Sequence, residues 1–161
     1  MNLSILIICL ALVGWFIIET VIYSGVGNRN RKLLKNMRSD AKKNEITISE
    51  HDIWDKSAIG INDIKDKIIY IDSSGQERIT TIFSLRDVKT FSTIPEITSK
   101  IGKYIDLNIE TSLCLNFTFK DPLKKSLGIY IHREESGIIR DRDKERFLKW
   151  TRIIVQAMKL K

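Results

Sequence analysis

The chain has 161 residues and a formal charge of +7, long enough for one compact domain beside a terminal segment and too short for two. The positive excess sits at the ends, because residues 57–139 carry eleven charges of each sign, so the body lacks the basic stripe of a nucleic-acid binder. Two cysteines, Cys9 and Cys114, and two histidines, His51 and His132, are too few and too scattered for a disulfide framework or a zinc site.

From Leu3 to Tyr23 the sequence is apolar apart from Ser4, Glu19 and Thr20. A helix needs ~20 apolar residues to cross a ~30 Å hydrocarbon core, so residues 1–26 are predicted to hold a transmembrane anchor. No Lys or Arg precedes the run and no Ala-x-Ala follows it, which favours a retained anchor over a cleaved signal. Cys9 follows Ile7 and Ile8 in mid-run, which is not the setting of a lipidated cysteine. Glu19 lies past the midpoint, ~9 Å from the bilayer centre at 1.5 Å per residue. Two roles are open to it: a carboxylate reaching the cytoplasmic headgroups, or a polar contact with another membrane helix.

Residues 27–56 read as a basic juxtamembrane connector. Arg29, Arg31, Lys32, Lys35, Arg38, Lys42 and Lys43 are interrupted only by Asp40, and such a flank stays on the cytoplasmic side. The expected topology is therefore a single-pass protein of the bacterial inner membrane, N-terminus outside and C-terminal domain in the cytoplasm. The same seven residues are the candidates for contact with lipid headgroups, each adding ~1 kcal/mol of attraction to an anionic leaflet. Leu33, Leu34 and Met37 fit one helical stripe, so the segment is either a short amphipathic helix on the membrane surface or a solvated linker. From Glu45 to Lys56 the charge sign reverses, and the domain boundary is expected near Trp54, packed at the domain edge.

Residues 57–161 form the predicted domain. Ser57–Ile61 and Lys67–Ile71 read as a hairpin turning at 62–66, followed by strands near Arg78–Ser84 and Val88–Thr93. Ile105, Leu107, Ile109, Leu113, Leu115, Phe117 and Phe119 then hold one parity while mostly polar residues hold the other, the mark of a sheet with one buried face. Leu127, Ile129 and Ile131 alternate in a last strand. Phe147, Trp150, Ile153, Ile154, Ala157 and Met158 then fall at helical spacing, with Asp141 or Asp143 as N-cap. The expected fold class is α+β: an N-terminal transmembrane helix, then an antiparallel β-barrel or sandwich of about six or seven strands, capped by a C-terminal amphipathic helix.

That order resembles the pleckstrin-homology-like domain. The likeness covers roughly Ser57 to Met158 and rests on Ser57-Ala-Ile-Gly-Ile-Asn-Asp, Lys67-Ile-Ile-Tyr-Ile, Phe83-Ser-Leu-Arg-Asp-Val-Lys-Thr-Phe and Lys149-Trp-Thr-Arg-Ile-Ile. The chain is similar in this to small bacterial membrane proteins with such a domain. The resemblance implies a scaffold that binds lipid headgroups, peptides or proteins, although fold alone does not fix function. Lipid-binding members carry basic residues around the first hairpin turn, whereas Lys65 and Lys67 here alternate with Asp63 and Asp66, so a protein partner ranks above a specific headgroup.

Other motifs fail on inspection. Asp72-Ser-Ser-Gly-Gln-Glu-Arg78 resembles a GTPase switch segment, but no Gly-x-x-x-x-Gly-Lys-Ser/Thr loop exists to cradle phosphates, and a turn between strands accounts for the same residues. There is no Gly-x-Ser-x-Gly elbow and no His-Glu-x-x-His, Cys114 shares its parity with solvated polar residues, and Glu134-Glu135 sit in an apparent loop. The sequence thus predicts a membrane-anchored binding module with no catalytic residues and no cofactor: an adaptor or subunit with a protein partner at the bilayer, or a membrane-surface sensor acting through the basic connector. An enzyme of unrecognised type is the remote alternative.

Overall fold

The computed structural model describes residues 27–94, 112–133 and 138–159. The predicted anchor with Glu19, the strand positions 105–111 and Glu134-Glu135 lie outside the described residues. Among those described, no helix is long and apolar enough to cross a membrane.

The described chain opens with helix α1, residues 27–43. Seven strands follow: β1 (Ile48–Trp54), β2 (Ser57–Asn62), β3 (Lys67–Asp72), β4 (Ile79–Ser84), β5 (Val88–Ile94), β6 (Leu113–Phe119) and β7 (Leu127–His132), then helix α2 (Asp141–Lys159). The strands form two antiparallel sheets, β1-β2-β3-β4 and β5-β6-β7, with a single 3-10 turn at Leu85–Asp87 between β4 and β5. Among the described residues the two sheets stay separate, so the architecture is an open α+β sandwich and the barrel alternative is not realised. The main core lies between the sheets and under α2, where Ile59, Ile61, Ile68 and Phe83 meet Leu115, Phe117, Ile129, Phe147 and Trp150. Phe83 stands edge-on to both Phe117 and Phe119, at centroid distances of 5.0 and 5.4 Å.

The indole N–H groups of two tryptophans tie the layers together. Trp54 donates to the Tyr130 carbonyl oxygen at 3.0 Å, joining β1 to β7, and Trp150 donates to Asp52 Oδ2 at 2.8 Å, joining α2 to β1. Trp54 is therefore a buried member of the core, not a residue at the domain edge.

The segment expected as a connector, 27–56, contains α1 and β1, both packed on the sheet. Leu33, Met37 and Ala41, spaced by four, fall on one helix face and join Ile46, Ala58, Ile69 and Ile71 in a second apolar cluster on the outer face of the four-stranded sheet. The apolar stripe of this helix meets protein and not a bilayer. Strand period places the two cores on opposite faces: the pairs Ile59↔Tyr70 and Ile61↔Ile68 face inward, while Ala58↔Ile71 and Gly60↔Ile69 face α1. Gly60 permits the close approach, because a Cβ there would lie 3.1 Å from Ile69, 3.2 Å from Ile48 and 3.3 Å from Met37 Sδ. Asp40 closes the contact by accepting from the Thr80 hydroxyl at 2.9 Å and pairing with Arg78 at 3.2 Å.

Because β1 exists, the hairpin read at 57–71 is the second one. The first turn is Asp55-Lys56, with Asp55 in the left-handed region at φ 43°, a conformation aspartate tolerates better than most residues. The acidic and basic alternation at 62–66 belongs to the β2–β3 turn, where the Asn62 side chain accepts from the backbone N–H groups of Asp66 and Lys67, at 2.9 Å each.

Candidate functional site: the basic face of α1 and its N-terminal end

All seven cations of α1 are exposed, since the helix spends its apolar face on the sheet. Arg31, Lys35, Arg38 and Lys42 recur at i, i+4, i+7 and i+11 on the side opposite Leu33, Met37 and Ala41, a stripe ~16 Å long at 1.5 Å per residue. Among the described residues none of the seven makes an ion pair, which sets them apart from most other cations of the domain. Arg78, Arg86, Arg133, Arg140, Arg146 and Lys149 each lie within 4 Å of a carboxylate.

Arg29 and Lys32 leave the stripe and reach the end of the sandwich where α1 begins. Chain geometry brings the β1–β2 turn and the β3–β4 loop there as well, because α1, β1, β2 and β3 run back and forth. A cleft of about 340 Å³ opens between α1 and the β3–β4 loop, lined among others by Arg29, Lys32, Lys56 and Gln76. A second, of about 480 Å³, opens between the β1–β2 turn and the end of β7, with Trp54 and Tyr130 as its aromatic walls. Arg29 and Lys56 line the second cleft too, and its other two cations, Arg133 and Arg140, are paired. Arg133 lies 4.3 Å over the Tyr130 ring and 3.6 Å from Asp72, and Arg140 lies 3.6 Å from Asp55.

Behind the second cleft is a buried charge cluster. Asp143, in the first turn of α2 and only 1% exposed, accepts from Arg140 Nε at 3.0 Å and Arg146 Nη1 at 3.1 Å, with His132 Nδ1 at 3.9 Å. The hydrogen bond to Asp143, helped by the nearby Asp143 and Asp55 charges, pushes the Arg140 pKa up. Of the two N-cap candidates, Asp141 and Asp143, the second plays another role: its carboxylate accepts from two arginines and lies 3.9 Å from His132 Nδ1, and its own N–H donates to the Arg140 carbonyl at 2.9 Å.

No protein-family model, no curated protein and no solved structure matches this chain. Its residues alone carry the functional argument.

The segment that resembles a GTPase switch has architectural duties. Asp72 Oδ1 accepts from the Ser74 N–H at 2.8 Å to shape the β3–β4 loop, and Arg78 is held by Asp40. Cys114 corrects an expectation: its strand parity suggested solvent, yet it is fully buried against Asn116, Gly128 and Tyr130. Burial pushes its thiol up to about 11, so little thiolate exists near neutral pH. Burial likewise pushes the Tyr70 phenol up to about 12, against the opposing hydrogen bond with Ser57. Among the described residues no group of three His, Cys, Asp or Glu side chains could hold a metal.

Lys56, Arg133 and Arg140 were not legible as site residues. Lys56 stands alone between two aspartate-rich segments, and only the β1–β2 turn carries it to Arg29 and Lys32. Its one sequence signal is the pair Asp55-Lys56 between Trp54 and a branched run, a two-residue hairpin turn.

Proposed function

We propose that the chain is a single-pass, membrane-anchored, non-catalytic interaction module of pleckstrin-homology-like type, serving as an adaptor or subunit at the cytoplasmic leaflet. The order of four strands, three strands and a terminal helix supports the fold reading. The observation that carries the functional reading is the packing of α1 on the four-stranded sheet through Leu33, Met37 and Ala41. If residues 3–23 span the bilayer, three residues separate Tyr23 from the start of the described helix at Gly27, four steps along the chain that reach at most ~14 Å. In this reading the domain has no free tether. It is held at a short distance, which raises its effective concentration toward any membrane partner.

Crosslinking the full-length protein in its native membrane, then purifying it in mild detergent and identifying its companions by mass spectrometry, tests the reading. One stoichiometric membrane protein supports an adaptor or subunit, and recovery of the chain alone or only with itself sinks it. A second reading, contact of the domain with the anionic leaflet, is favoured by the exposed stripe of Arg31, Lys35, Arg38 and Lys42. Its signature is a steep salt dependence, because exposed charges are screened over ~8 Å at physiological ionic strength.

A further inference from the structure

We infer that β4, an outer strand of the four-stranded sheet, is a pairing edge for a second copy of this chain, joined antiparallel about Thr81. Proteins guard a free sheet edge with charges, prolines, bulges or a covering element, because its outward N–H and C=O groups invite another strand. The other described edges carry such guards. β1 has a register break between Ile48 and Glu50, and its Asp52 is taken by Lys149 and Trp150. β5 has Lys89 and a register break between Val88 and Thr90, and β7 gives its Tyr130 carbonyl to Trp54. β4, Ile79-Thr-Thr-Ile-Phe-Ser84, has no charge, no proline and an unbroken register with β3, and four of its six residues are branched at Cβ. Among the described residues its backbone hydrogen bonds go to β3 alone, and every second residue turns both backbone groups outward. Ile79, at the start of this edge, is 62% exposed.

The strand itself names the occupant. In a twofold contact each residue near the axis meets its own kind or a close neighbour, so a charge there faces a like charge, and an uncharged strand is what such a contact needs. Cross-strand partners share a face of the sheet, so the residues set opposite each other differ in number by an even amount. On β4, Phe83 belongs to the core between the sheets and Ile82 to the face under α1. Centring on Thr81 pairs Thr81 with Thr81, Thr80 with Ile82 and the exposed Ile79 with Phe83, of which the threonine pair and the branched–aromatic pair are known to stabilise a ladder. Centring one residue later sets Arg78 opposite Arg86, and centring one earlier leaves only residues 79–81 paired within the strand. Edge pairing continues the sheet without turning it over, so both copies carry α1 on one side, as two anchors entering one bilayer require. The shared bilayer supplies the high local concentration that a contact of this size needs, and for that the inference rests on the anchored reading.

The test is disulfide formation in membranes from cells making the full-length protein, in a Cys9→Ser background with the buried Cys114 left in place. Across the axis two Thr81→Cys side chains stand on Cα atoms about 4.5–5.5 Å apart, inside the range a disulfide spans, whereas two Ile79→Cys positions lie ~14 Å apart at ~3.4 Å per residue. With copper phenanthroline as oxidant, Thr81→Cys is expected to give at least about fivefold more covalent dimer than Ile79→Cys or than Ser92→Cys on the exposed side of β5. Ile79→Lys, at an exposed position, should lower the Thr81→Cys dimer about fivefold by setting an ammonium against Phe83 of the second copy, with the circular dichroism spectrum unchanged. Equal yields at 79 and 81, a Thr81→Cys yield no higher than that of Ser92→Cys, a dimer that survives Ile79→Lys, or a disulfide to a different protein overturns the inference. A carbonate wash of the same membranes reads the anchor separately, and the adaptor reading asks for a different protein beside the pair, so each can fail without the other.

Discussion

Met37 is where the union of α1 with the sheet can be measured. Its side chain is fully buried, and its sulfur would lie 3.3 Å from a Cβ at Gly60. Met37→Ala removes three heavy atoms beyond Cβ. At ~0.8 kcal/mol per buried methylene-sized group the transfer part is about 2.4 kcal/mol, and the cavity left behind brings the loss to about 3 kcal/mol. With a urea m-value of about 2 kcal/mol/M, the unfolding midpoint should fall by about 1.5 M at unchanged slope. The assay is urea unfolding of the full-length protein in neutral detergent, followed by tryptophan fluorescence, since Trp54 and Trp150 are both in the main core. Lys35→Ala, on the exposed face of the same helix, is the control and should stay within about 0.5 kcal/mol of the parent. The pairing with Gly60 adds an internal check. Gly60→Ala alone crowds Met37, Ile48 and Ile69, whereas in the Met37→Ala background the sulfur is gone, so the double variant should be less destabilised than the sum by about 0.5 kcal/mol or more. A Met37→Ala midpoint shift under about 0.25 M, equal to the control, would show that α1 is a connector resting on the sheet and not part of the fold.

Three further outcomes follow from the buried polar groups. Asp143→Ala leaves Arg140 and Arg146 without their shared acceptor, Arg146 being only 15% exposed at its side chain, and should cost about 3–5 kcal/mol by the same unfolding assay. Tyr70 titrates near 12 in the folded protein against 10 in a free phenol, so above pH 10 the unfolded chain releases a proton that the folded one keeps. Stability should therefore fall by roughly 2–3 kcal/mol as the pH rises from 10 to 12, and Tyr70→Phe should flatten that decline in pH-dependent urea melts. In a Cys9→Ser background, Cys114 should react with iodoacetamide at least about 100-fold more slowly than a free thiol at pH 8, because its pKa of about 11 against 9.0 removes two decades of thiolate before access is counted. Alkylation at the free-thiol rate in the folded protein would refute the burial argument.

How much of this was legible depended on which faces each segment buries. The strands 57–62, 67–72, 79–84, 88–94 and 127–132 and the helix 141–159 carry enough branched residues or helical spacing to declare themselves, and Leu113, Leu115, Phe117 and Phe119 do point into the core as their parity requires. β1 stayed hidden because it is an edge strand whose residues are mostly half-exposed, so Ile48-Ser-Glu-His-Asp-Ile-Trp54 shows no clean alternation. Missing it shifted every later turn by one and placed the first hairpin turn at 62–66, away from Lys56. The stripe of Leu33 and Met37 was visible, but a helix period alone does not say whether the apolar face meets lipid or protein. The acceptor of that face was written in β2 and β3: Ala58 to Ile61 and Ile68 to Ile71 are buried on both sides, with no polar parity left for solvent.

That double burial decides where the domain begins. An antiparallel sheet usually leaves one face to water, and its strands then alternate; strands apolar at every position need cover on both faces. Here α2 and the three-stranded sheet cover one face and α1 the other. A chain starting at residue 57 would keep the predicted strands and terminal helix yet expose Ala58, Ile69 and Ile71 together, lose the Trp54 and Asp52 hydrogen bonds to Tyr130 and Trp150, and leave β2 as a hydrophobic edge. Such a piece should aggregate on size exclusion, while one beginning at residue 27 should run as a discrete species with a cooperative melt. If the shorter piece unfolds cooperatively at the same urea midpoint, the outer layer contributes nothing to stability.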